Sequence, residues 1–146
     1  MALTDSGEPA VWSTTHPSFT VFNPQLETFA SVWVPFDTDF SAFHDAAALV
    51  LAEHAAATEF FPLGTPPANS FDVSSLPWTS FTGFTLNIDG GSRHLAPIFT
   101  LGRYVEREGR TFLPVALQIH HAAADGFHAS QLLNDLGLLL NDPSWL

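Results

Sequence analysis

The chain has 146 residues, 46% of them hydrophobic, and carries four basic side chains against fifteen acidic ones for a formal charge of −11. Such a charge repels phosphate backbones and anionic lipid, which argues against a nucleic-acid or membrane partner. No run of about 18 apolar residues and no basic-then-apolar leader occurs, so neither a membrane span nor a signal peptide is expected and the cytoplasm is the expected location. The absence of cysteine excludes disulfides, thiolate metal sites and a Cys nucleophile.

Neither repeats nor low-complexity tracts divide the sequence, so residues 1–146 are expected to form a single domain. Apolar and β-branched segments at Ala10–Thr14, Phe19–Phe22 and Phe29–Phe36 predict strands, punctuated by Pro17 and Pro24. Asp37 or Asp39 then caps a helix whose apolar positions Phe40, Phe43, Ala47, Val50, Leu51 and His54 recur every three or four residues. Between Phe61 and Pro77 five Pro and Gly residues forbid a helix, although Phe71–Ser74 suits a short strand. Phe81–Ile88, Ile98–Arg107 and Thr111–His120 predict three more strands, the last two joined by a hairpin at Glu108-Gly109. Both faces of Thr111–His120 are apolar, which predicts a central strand. A final helix follows Asp125, with Ala129, Leu132, Leu133, Leu136 and Leu140 on one stripe, and stops near Asn141 and Pro143. This order predicts an α/β fold, a two-layer sandwich of a mixed β-sheet with helices packed on it.

The basic residues are all arginines, Arg93, Arg103, Arg107 and Arg110, and they fall in one stretch. A polyanionic small molecule would find positive charge only there, although a solvated hairpin accounts for the same pattern. The chemistry concentrates in His120-His121-Ala122-Ala123-Ala124-Asp125-Gly126-Phe127-His128, at a strand-to-helix junction. If the strand extends that far, His121 leaves the face of Leu113, Val115, Leu117 and Ile119. Its ring is then partly desolvated and neutral, the state a general base needs. On local grounds alone, a core histidine with a satisfied hydrogen bond and an ordinary N-cap are the favoured accounts of His121 and Asp125. A metal site from His120, His121, Asp125 and His128 is disfavoured, because adjacent strand residues point to opposite faces. No G-x-S-x-G elbow supports a serine hydrolase.

The segment HHAAADGFH, followed by Leu133-Asn134-Asp135-Leu136, resembles the active-site signature of the chloramphenicol acetyltransferase family. The HHxxxDG core is shared in outline with dihydrolipoamide acyltransferases and peptide-synthetase condensation domains. Further matches narrow it: Pro77-Trp78-Thr79-Ser80-Phe81-Thr82, Leu86-Asn87, Ala96-Pro97-Ile98-Phe99-Thr100 and Leu113-Pro114, with His16-Pro17 and Glu27-Thr28-Phe29 upstream.

The resemblance runs from about residue 8 to about residue 136 and implies an acetyl-CoA-dependent O-acetyltransferase acting on the 3-hydroxyl of chloramphenicol, as a homotrimer with sites between subunits. In that pattern His121 is the general base, Ser74 the donor to the thioester oxygen, Thr100 a residue acting through water, and Asp125 a structural carboxylate paired with an arginine. Phe61 and Leu86 fall in the antibiotic pocket, and Trp78, Arg103 and Tyr104 where CoA binds. No resident metal is implied. Family members carry an N-terminal portion, about a third of the domain, ahead of the matched region. The expectation is therefore a chain lacking that portion and the arginine it supplies, with a catalytically incompetent remnant as the alternative to an active enzyme.

Overall fold

A computed structural model describes residues 2–3, 6–87 and 94–145; Arg93 and the end of the expected Phe81–Ile88 strand lie outside these. Five strands form the main sheet: β3 (His16–Asn23), β4 (Thr28–Trp33), β5 (Ser70–Leu76), β6 (Ile98–Gly102) and β9 (Val115–Gln118). They lie in the order β4-β3-β5-β6-β9, with β3, β5 and β6 parallel and the outer two antiparallel to their neighbours. Two small ribbons accompany it, β1 (Ala2–Leu3) with β2 (Pro9–Ala10), and β7 (Val105–Arg107) with β8 (Arg110–Phe112). The helices among the described residues are α1 (Phe40–Glu53) and α2 (Gly126–Asn141), the latter followed by a 3-10 turn at Pro143–Trp145. The mixed sheet and helices make the expected α/β fold.

Alternation along each strand gives the sheet two unlike faces. The register pairs Phe19 with Val32, Val21 with Ala30, Val73 with Phe99 and Phe99 with Leu117, an apolar face. Val32 and Val34 are fully buried. Val32→Ala, which deletes two methyl groups from this layer, is expected to cost about 2 kcal/mol and to lower Tm by roughly 6 °C in a thermal melt.

Helix α1 begins as predicted, because Asp39 has extended backbone and its side chain accepts from Ala42 N at 3.0 Å. Of the expected face, Ala47 is buried, Phe43, Val50, Leu51 and His54 are half-buried, and Phe40 is exposed against Trp145. Asp125 caps α2, accepting from His128 N at 3.1 Å. The predicted stripe of α2 is not covered: none of its residues is buried, and Leu132, Leu133 and Leu140 are exposed.

Several strand expectations are corrected. Only Ala10 of Ala10–Thr14 is in a strand; Val11–Thr15 is exposed and unpaired with any strand. Strand β4 stops at Trp33, because Val34 N makes a last bond to Pro17 O and Pro35 has no N–H to continue the ladder. Residues 81–87 form no strand; Phe81 instead packs on Gly102, where a Cβ would lie 2.9 Å from its ring. The expected Ile98–Arg107 strand breaks at Arg103, whose N–H turns to Thr79 O at 2.7 Å. The expected Thr111–His120 strand breaks at Leu113-Pro114, where proline again supplies no donor. Its second half, β9, is an edge strand among the described residues. Its two apolar faces report cover above and below the sheet, which says nothing of ladder partners at its sides. The hairpin at Glu108-Gly109 is as expected, both residues having positive φ (52° and 73°), the signature of a type I′ turn.

Candidate active site

The opposite face of the sheet carries polar side chains. Ser18 faces Asp72 across β3 and β5, Asp72 faces Ile98, Ser74 faces Thr100, and Ile98 faces Gln118. Thr20, two residues beyond Ser18, joins the same face, and its hydroxyl donates to Ser74 Oγ at 3.2 Å. Thr100 is buried. Strand pairing thus sets Ser74 and Thr100 directly side by side, as neighbours on one face.

Two cavities open here. The first, about 430 Å³, is lined by Thr20, Phe22, Phe29, Leu51, Ser74 and Trp78, and Trp78 stands edge-on to Phe22 at 4.7 Å. It is a largely apolar hollow with three hydroxyl-bearing residues, Thr20, Ser74 and Ser75, in its wall. The second, about 380 Å³, is lined by Leu86, His94, Ile98, Gln118, His120 and His121. Gln118 Oε1 accepts from Leu86 N at 3.2 Å, which fastens the 81–87 segment to β9. Ser74 and His121 therefore line different cavities.

His121 is not on a strand. The ladder ends at Gln118, and the His120 carbonyl accepts from Ala123 N and Ala124 N, closing a turn that leaves His121 exposed rather than set in an apolar wall. Ala122 N donates to His120 Nδ1 at 3.1 Å. Among the described residues Asp125 is met by His128 and by no arginine; its carboxylate takes the backbone N–H of His128 and stands 2.7 Å from His128 Nδ1. Those bonds hold its pKa below the ordinary carboxylate value, the backbone N–H contributing most. This stabilisation is present above the ordinary carboxylate range and is lost as pH falls through the lowered value. No group of three or more His, Asp or Glu suited to a metal ion forms among the described residues.

The remaining expected residues are dispersed. Phe61 is exposed and stacks edge-on with Phe60 at 4.4 Å, apart from both cavities. Arg103 and Tyr104 are exposed at the bend between β6 and β7, tied to the Trp78-Thr79 loop through the Arg103 N–H. Thr20, Asp72, His94 and Gln118 were not singled out from the sequence. Each meets its partner only through strand register or a long loop.

Asp72 lies 3.4 Å from His94 Nε2, an ion-pair approach without hydrogen-bond geometry, since that nitrogen keeps no hydrogen-bond partner. Burial pushes the Asp72 carboxyl above its ordinary pKa, and His94 offsets this only partly. A raised folded-state pKa favours the protonated form. The associated stability is full below the ordinary carboxylate range and is lost as pH rises through the raised value. Asp72→Asn, which removes a half-buried charge, is expected to raise Tm slightly at pH 7.5 and to lose that advantage near pH 4. A lower Tm at pH 7.5 would show that the His94 contact outweighs burial.

Comparison with known proteins identifies the family and the fold. The family model for chloramphenicol acetyltransferase matches residues 1–137. A chloramphenicol acetyltransferase of Streptomyces acrimycini is 66% identical over 146 residues, covering 100% of this chain and 66% of the relative. One from Bacillus pumilus is 40% identical over 140 residues, covering 95% of this chain and 64% of the relative. A solved chloramphenicol acetyltransferase structure superposes with a TM-score of 0.75 at 23% identity, covering 86% of this chain and 61% of that one. The chain thus spans slightly under two thirds of the length of the curated relatives it matches.

Proposed function

Because the chain belongs to the chloramphenicol acetyltransferase family, we propose that it transfers acetyl from acetyl-CoA to the 3-hydroxyl of chloramphenicol, with His121 as general base. The imidazole takes the hydroxyl proton as the oxygen attacks the thioester carbon. The tetrahedral intermediate places negative charge on the former carbonyl oxygen, where the Ser74 hydroxyl donates. Collapse breaks the carbon–sulfur bond, and the CoA thiolate leaves with the proton held by His121. No acyl-enzyme forms. Thr100 orders a water beside Ser74, and Asp125 sets the start of α2 and the turn that bears His121.

The observation that carries this reading is the pairing of Ser74 and Thr100 on one sheet face, with Trp78 bordering the same cavity as Ser74. That cavity is the donor side, with Arg103 and Tyr104 at its approach to meet the phosphates of CoA; in a chain of charge −11 the arginine stretch is the place for a polyanion. Leu86, beside His121, and Phe61 belong to the acceptor side. Because Ser74 and His121 line different cavities, the catalytic set is completed between copies of the chain in a cytoplasmic homotrimer, with His121 of one copy facing Ser74 of another.

The test is release of free thiol from acetyl-CoA with and without chloramphenicol, combined with subunit mixing. His121→Ala and Ser74→Ala chains are expected to be inactive separately and to regain activity when unfolded and refolded together, since mixed trimers restore some intact sites. Antibiotic-independent release would remove the proposed reaction. Inactive single variants with no activity gained on mixing would place the site within one chain, and full activity in either single variant would remove that residue from the catalytic set.

A further inference from the structure

We propose that Thr20 is a positioning residue that sets the direction in which the Ser74 hydroxyl donates. The inference rests on the role given to Ser74 above.

Strands β3 and β5 are parallel, and their register runs from His16 opposite Ser70 to Phe19 opposite Val73, which brings Thr20 and Ser74 to adjacent places at the end of the ladder on the same face. Thr20 Oγ1 donates to Ser74 Oγ at 3.2 Å. On its other side Thr20 is paired in register with Ser31, whose hydroxyl is already engaged with Ser18 Oγ at 2.9 Å. The Thr20 proton is directed to Ser74 Oγ.

A serine hydroxyl has one proton and two lone pairs. With one lone pair occupied by Thr20, the Ser74 proton must point elsewhere, and both residues line the cavity that Trp78 borders. A serine rotor without this contact samples three staggered positions, whereas a donor aimed in advance at the developing oxyanion costs no reorganisation at the moment of reaction. Threonine suits the task because its β-branch stiffens χ1 and fixes its own oxygen.

Thr20→Val keeps the shape and removes the hydroxyl; Thr20→Ser keeps the hydroxyl. Turnover of acetyl-CoA with chloramphenicol is expected to show kcat lowered about three- to ten-fold in Thr20→Val, the worth of one neutral hydrogen bond. KM for both substrates should stay within about two-fold, and Thr20→Ser should recover most of kcat. In a Ser74→Ala background Thr20→Val should change nothing further, because the group it directs is gone. An unchanged kcat in Thr20→Val, or the same loss on top of Ser74→Ala, overturns the inference while leaving the enzyme reading intact. Equal kcat in wild type and Ser74→Ala instead removes the role of Ser74, and this inference with it.

Discussion

Replacing His121 with alanine is expected to lower kcat for chloramphenicol acetylation by about 10²–10⁴-fold, the range a positioned general base supplies. Stability should hardly change. His121 is exposed and lies in a turn closed by backbone bonds from Ala123 and Ala124 to the His120 carbonyl, so its removal opens no cavity and orphans no buried group. That separation makes the experiment decisive: a lost rate with an unchanged melting curve isolates chemistry from folding. His121→Gln retains hydrogen-bonding capacity but cannot take up a proton at neutral pH, and should be nearly as inactive as alanine. A glutamine variant turning over within a few-fold of wild type would reduce His121 to an orienting group and sink the general-base assignment.

Local features were legible in the sequence where the physics is itself local. The start of α1 at Asp37 or Asp39, the Asp125 cap and the end of α2 depend on side chains within one helical turn and were read from residue type and spacing; the structure decides for Asp39. The type I′ turn at Glu108-Gly109 needed only two residues. Strand limits were harder, because hydrophobic pattern does not reveal where a ladder partner ends. Pro114 and Pro35 interrupt runs that remain apolar on both sides, and the Leu86 N–H donates to a glutamine side chain instead of a neighbouring strand. The same limitation misjudged His121, whose expected desolvation assumed that β9 continued three residues past Gln118.

The site divides in the same way. His121 and Asp125 sit four residues apart and stand out as a motif, whereas Thr20 and Ser74 are 54 positions apart and meet only through the parallel pairing of β3 with β5. Asp72 and His94 likewise gain their relationship from the fold. The predicted apolar stripe of α2 is not covered among the described residues, because a pattern states which residues share a face and not what packs on it.

Ser74→Ala carries the second large effect. If the hydroxyl serves the oxyanion, its loss should lower kcat by about 10²–10³-fold, or about 2.7–4 kcal/mol of transition-state stabilisation. The charge on the thioester oxygen exists only after attack, so ground-state binding is untouched and KM for acetyl-CoA should stay within a factor of about two. Folding should lose little, since Ser74 is half-buried and the Thr20 hydroxyl it leaves behind is partly solvent-accessible. The opposite pattern, KM for acetyl-CoA raised with kcat preserved, would mean that Ser74 only lines the donor cavity beside Trp78. Catalysis would then depend on a different donor, and Thr100, its register partner on β6, is the polar side chain placed to supply it.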